Sequence, residues 1–112
     1  MTNEEINTAL YHKMFAEQER FKAYLLTVSP HEVLQQACEY VCREDILLAM
    51  ENNDLNSRQA AALMKSDTPL ADIFQKWEAW ETSRMDDVWT CVESRANEVL
   101  RADFIASRRE ER

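Results

Sequence analysis

The sequence predicts an all-α protein, a compact helical domain of about four helices with a long C-terminal helix. Three observations predict it. The chain contains no glycine and only two prolines, Pro30 and Pro69, whereas sheets and their hairpins lean on glycine-containing turns. Apolar residues recur at helical spacing through most of the chain, and capping residues stand in front of the apolar runs. With 112 residues, 46% of them apolar, the chain supports one core of modest size and is too short to suggest two. The resulting division is a single helical domain over residues 1–107 and a charged, frayed tail over 108–112.

The first helix is expected to start behind Thr2, because Thr2 and Glu5 have the capping-box spacing that satisfies amide donors at a helix start. Ile6, Leu10, Met14, Phe21, Leu25 and Val28 then recur on one face, with Phe15 and Tyr24 widening it and Glu17, Glu19, Arg20 and Lys22 outside it. This helix is expected to run to about Thr27. Ser29-Pro30-His31-Glu32 marks the next start, with serine as cap, proline in the first turn and Glu32 completing the box. Val33, Leu34, Ala37, Cys38, Val41, Ile46, Leu48 and Met50 supply the apolar side of this second helix, which should stop near Asn52-Asn53-Asp54.

Asn56 and Gln59 repeat the capping spacing, and Leu55 can staple onto Ala60, so a short third helix follows and ends near Lys65. Thr68 and Pro69 open the longest element, predicted over 68–104. At about 100° per residue, Leu70, Phe74, Trp77, Met85, Val88, Val92, Ala96 and Val99 share roughly a third of its circumference. That face needs a partner. Glu81 interrupts the stripe, and Ser83 with Asp86 and Asp87 resembles a fresh helix start, so any break belongs near 82–84. The absence of glycine and proline there favours continuity.

Composition narrows the function. Without glycine there is no phosphate-cradling loop and no dinucleotide fingerprint, which argues against nucleotide-dependent enzymes. Twenty-one acidic residues against thirteen basic ones give a net charge of −8. Residues 30–54 hold Glu32, Glu39, Glu44, Asp45, Glu51 and Asp54 against Arg43 alone, a balance of −5. Such a surface repels nucleic acid and attracts a basic protein surface, including one that ordinarily receives DNA or RNA; solubility is the bland purpose of the same charge. The polar start and the lack of any apolar run of roughly 20 residues point to a cytoplasmic protein. Three cysteines, Cys38, Cys42 and Cys91, suit reduced thiols rather than a disulfide framework.

No constellation spells out a catalytic site. Cys38 and Cys42 lack the turn-borne pair and the second pair of structural zinc sites, so they read as buried small hydrophobes. His12 and His31 are the only histidines; neither follows the Glu-x-x-His pattern of di-iron bundles, and no nucleophile stands beside either. Carboxylate pairs such as Glu44 with Asp45, or Asp86 with Asp87, are more commonly solvated helix acids than metal ligands. The corner from Asn56 to Trp77 resembles a helix-turn-helix, but Asp72 and Glu78 against Lys76 do not suit a groove-reading helix. Trp77 falls on the stripe, while Trp80 and Trp89 flank it on opposite sides. Core packing is the first expectation for them. The alternative is an exposed Trp80 among Glu78, Glu81, Asp86 and Asp87, an aromatic anchor in an acidic surface.

The run Tyr40-Val41-Cys42-Arg43-Glu44-Asp45-Ile46-Leu47-Leu48-Ala49-Met50-Glu51-Asn52-Asn53-Asp54-Leu55, followed by Pro69-Leu70-Ala71-Asp72-Ile73-Phe74, resembles a small family of unknown function. Tyr11-His12-Lys13-Met14-Phe15-Ala16-Glu17-Gln18 and Val92-Glu93-Ser94-Arg95-Ala96 extend the resemblance over most of the chain. What it implies is a setting, the conjugative and phage-like elements of gut-associated Gram-positive bacteria, and no chemistry. Small acidic proteins of such elements often inhibit host defence, one route being to occupy the basic channel of a CRISPR nuclease. The leading expectation is therefore a non-enzymatic protein-binding module without cofactor or metal. Its candidate contacts are Glu39, Glu44, Asp45, Glu51, Asp54, Trp80, Asp86 and Asp87, and its partner is a CRISPR nuclease or another nucleic-acid-processing protein. The second expectation is a self-associating accessory protein of a conjugative element, with the long stripe as the seam of a homodimer.

Overall fold

The computed structural model describes residues 1–80 and 84–110, with side chains described through 80 and from 86 to 109. The described residues form five helices and no strand: α1 (Asn3–Leu25), α2 (Pro30–Asn52), α3 (Ser57–Met64), α4 (Pro69–Trp80) and α5 (Arg84–Glu110). None of these helices is long and apolar enough to cross a membrane. Continuity of the last element through 81–83 lies outside the described residues. The charged end is helical as far as Glu110, and 111–112 lie outside the described residues.

Two compact units divide the chain, residues 1–77 and 78–112. In the first, α1 packs against α2 and α3. Leu10 and Met14 from α1, Leu47 from α2, Ala60 from α3 and Leu70 from α4 form the buried core, with Ile6, Ile46, Met50, Leu63 and Ile73 packed around it. The second unit consists of the last residues of α4 and the helix α5, whose residues from 86 to 109 are all exposed. Val88, Val92 and Val99 on its apolar stripe are between two-fifths and half exposed.

Local signals set the helix starts. Thr2 and Glu5 close a full capping box, and so do Asn56 and Gln59. Ser29 Oγ accepts the Glu32 amide ahead of Pro30. Tertiary bonds set the angles between helices. Asn7 donates through Nδ2 to the Leu55 carbonyl and accepts the Leu55 amide, both within 3.0 Å, which fixes the α2–α3 connection onto α1. Lys13 Nζ donates to the Met64 carbonyl at 2.9 Å, a cation at the carbonyl end of α3.

In the packing of α1 and α4 two sequence expectations are corrected by the structure. Glu17, assigned to the outside of α1, is buried, whereas Phe15 and Tyr24, assigned to the apolar face, are about half exposed. Thr68 was expected to cap the next helix, but its hydroxyl donates to Asp72 Oδ1. The amides of Leu70 and Ala71 donate instead to the two carboxylate oxygens of Glu17, at 2.8 and 2.9 Å. A side chain of α1 thus caps α4 across 53 residues of sequence, and a carboxylate at a helix N-terminus is favoured by dipole as well as by hydrogen bonds.

Candidate protein-binding face on α2

A further correction concerns α2, for which the sequence places Val33, Leu34, Ala37, Cys38, Val41, Ile46, Leu48 and Met50 together on one apolar side. The structure splits that set: Ile46 and Met50 pack against the core beside Leu47 and Arg43, which are 5% and 7% exposed, whereas Leu34, Val41 and Leu48 are 76%, 56% and 56% exposed. Arg43 goes inward with Leu47. Its guanidinium lies 2.7 Å from Glu39, 4.0 Å from Glu17 and 4.2 Å from the centre of the Phe21 ring, which in turn stacks near Tyr40. A buried cation is tolerated only where opposite charge and aromatic faces surround it, and α1 offers both. With those partners in place the Arg43 side of α2 lies inward together with Leu47, and Leu34, Val41 and Leu48 lie outside.

This rotation sorts the candidate acids. Glu39 is half-buried and neutralised by Arg43. Glu44, Asp45, Glu51 and Asp54 are exposed. The segment's only arginine is therefore turned inward, it has no lysine, and its outward charge is acidic. Glu44 accepts from Gln18 Nε2 at 3.0 Å, and the same nitrogen donates to the Tyr40 carbonyl at 3.2 Å. Glu51 accepts from the Tyr11 hydroxyl at 2.5 Å. These two carboxylates are thus held in place at the surface.

The acids shift their neighbours. The hydrogen bond to Glu51, with some burial and the nearby charges of Glu51 and Glu44, raises the Tyr11 phenol above its ordinary value. Burial comes first for Tyr40, followed by the charge of Glu44 and its hydrogen bond, and it too is raised. Where α1 and α2 diverge, Glu4, Thr8, Tyr11, Glu51 and Asp54 line an open groove of about 500 Å3. On the other flank of the exposed stripe, Cys42, Asp45, Ile46, Ala49 and Trp77 line an apolar hollow of about 220 Å3.

Trp80, Asp86 and Asp87 belong to the second unit, where each is exposed. The acidic patch expected around Trp80 includes Glu81, which lies outside the described residues. Core packing of the tryptophans is not what is found, since Trp77, Trp80 and Trp89 are 46%, 63% and 61% exposed. Nor are the cysteines buried: Cys38 and Cys91 are exposed, and Cys42 is half-buried. Both histidines are exposed. Among the described residues, no group of three or more His, Cys, Asp or Glu side chains is placed to hold a metal ion.

Two features escaped the sequence reading, the cap formed by Glu17 and the hollow at Trp77. A glutamate on α1 carries no local mark of a contact with α4. The hollow had a partial signal in the small side chains of Cys42 and Ala49 and their neighbour Ile46.

The chain belongs to the family described as "Protein of unknown function (DUF3848)", whose model matches residues 6–100. No curated protein and no solved structure matches it.

Proposed function

We propose that this member of the DUF3848 family is a non-enzymatic protein-binding module that presents the acidic outer face of α2 to a basic protein surface. In this reading it serves a mobile genetic element as a counter-defence inhibitor, occupying the nucleic-acid-binding surface of a CRISPR nuclease or a related nucleic-acid-processing protein. One observation carries the reading: Glu44, Asp45, Glu51 and Asp54 face solvent while Arg43 is neutralised internally. Long-range attraction to a basic partner speeds association and is weakened by salt. The test is affinity capture of the tagged chain from its bacterial host's lysate, washed at low and at high salt and read by mass spectrometry. A nucleic-acid-processing protein held at low salt, and lost when Glu44, Asp45 and Glu51 are changed to lysine, is the expected result. Equal capture by the charge-reversed chain contradicts the reading.

A second reading is favoured by the exposed stripe of α5, where Val88, Val92 and Val99 share one face. It is self-association through that helix. Sedimentation over a wide range of protein concentration distinguishes it, a constant monomer mass removing it.

A further inference from the structure

We infer that the element received by the outer face of α2 is a basic amphipathic helix of the partner, with one of its apolar side chains seated against Trp77. This rests on the acidic protein-binding reading above and names the kind of element that reading leaves open.

The apolar pattern points to a helix. Leu34, Val41 and Leu48 recur every seven residues, with Cys38 between the first two and the carboxylate of Asp45 between the second two. On a helix that places successive leucine and valine side chains about 10.5 Å apart along the axis. A seven-residue apolar repeat is what a second helix matches when its side chains interlock along a seam. A flat surface or an extended strand has no reason to follow that period, and among the described residues there is no sheet edge for a strand to join. The hollow beside the seam is lined by Cys42, Ile46, Ala49 and Trp77, a combination of small side chains and an indole that accepts a single apolar anchor.

The charge pattern points to a basic one. Glu44 and Glu51, also seven residues apart, border the seam on one side, and Asp45, seven residues after Cys38, stands on the seam itself at the rim of the hollow. A helix lying on the seam brings its flanking positions against these carboxylates, which demand lysine or arginine there and oppose acidic residues. Gln18 and Tyr11 already hold Glu44 and Glu51, so little side-chain freedom is lost when a cation arrives. Each carboxylate retains lone pairs for it. The occupant is thereby specified on both counts, apolar along one face and basic where it meets Asp45 and the flank that carries Glu44 and Glu51.

The probe is a fluorescein-labelled synthetic peptide of three heptads, about 21 residues, with leucine at the seam positions and lysine at the flanks. Its control has the same composition in an order that destroys the repeat. Anisotropy with the full chain is expected to give at least about tenfold tighter binding for the amphipathic peptide than for the control. Val41→Asp should abolish that preference, while Glu44→Lys combined with Glu51→Lys should weaken both peptides. Equal affinity for the two peptides overturns the helix inference and leaves the acidic-face reading standing. Failure of both to bind at low salt overturns the two together. A preference that survives Val41→Asp overturns the placement on α2. Binding of the two peptides to the unchanged chain decides the helix inference however that variant folds.

Discussion

The two faces of α2 have similar ingredients and opposite fates. Each combines leucine with charged side chains. On the inner face Arg43 meets Glu39, Glu17 and the Phe21 ring, and Leu47 enters the core beside Leu10 and Met14. On the outer face Leu34, Val41 and Leu48 lie open beside Glu44 and Asp45. Apolar content does not separate the two. The inner face brings Leu47 into the core with Ile46 and Met50 beside it, and Arg43 can be buried there because Glu39, Glu17 and the Phe21 ring surround it. Core contacts and the pairing of Arg43 coincide on the inner face, and Leu34, Val41 and Leu48 are left open on the outer one.

Mutation can break this contrast directly. The largest effect is expected at Glu17, whose loss strands the amides of Leu70 and Ala71 and removes a neighbour of Arg43. Urea unfolding of Glu17→Ala should show a loss of about 3 kcal/mol or more, against roughly 0.5 kcal/mol or less for Asp45→Ala on the outer face. Adjacent leucines provide the next comparison. Leu47→Ala should cost about 2–4 kcal/mol through a core cavity, while Leu48→Ala stays within about 0.5 kcal/mol; similar losses at both would erase the distinction between the faces.

Smaller effects refine it. Asn7→Ala removes both bonds to Leu55 and should cost about 1–2 kcal/mol, read from the same unfolding curves. Tyr11→Phe should cost less than about 1 kcal/mol, because its bond to Glu51 lies at the surface. That bond raises the folded phenol above the ordinary tyrosine value of 10.0. The folded state therefore holds the proton more tightly than the unfolded one, and the contribution is complete below that value. It is lost as pH rises from there through the higher folded value. Stability measured across this alkaline range should fall less steeply in Glu51→Gln than in the unchanged chain.

Much of the fold was legible because its signals are local. The caps at Thr2, Ser29 and Asn56 lie within three residues of the amides they satisfy, and all three helices begin where these residues stand. The missing glycines pointed correctly to helices. What could not be read depends on distant pairing. Glu17 looks like any surface acid until the amides of Leu70 and Ala71, more than fifty residues on, are brought to it. Leu47 and Leu48 are indistinguishable by type, and only their tertiary surroundings, the core around Leu10 and Met14 and the partners of Arg43, distinguish the one that turns inward. At the candidate face, Glu44, Asp45, Glu51 and Asp54 were readable from charge alone. The neutralisation of Glu39 and the apolar seam beside the acids were not, since both follow from the rotation of α2.

Everything proposed for α2 requires that its outer stripe be a surface kept for a partner and not part of the protein's own packing. Equilibrium urea unfolding of the chain carrying Leu34→Ser, Val41→Ser and Leu48→Ser together tests this most directly. The predicted result is stability within about 1.5 kcal/mol of the unchanged chain, the sum of three surface substitutions. A loss of about 4 kcal/mol or more, the scale of emptied core positions, would mean that the stripe is packed within the protein, and would contradict a surface held open for a partner.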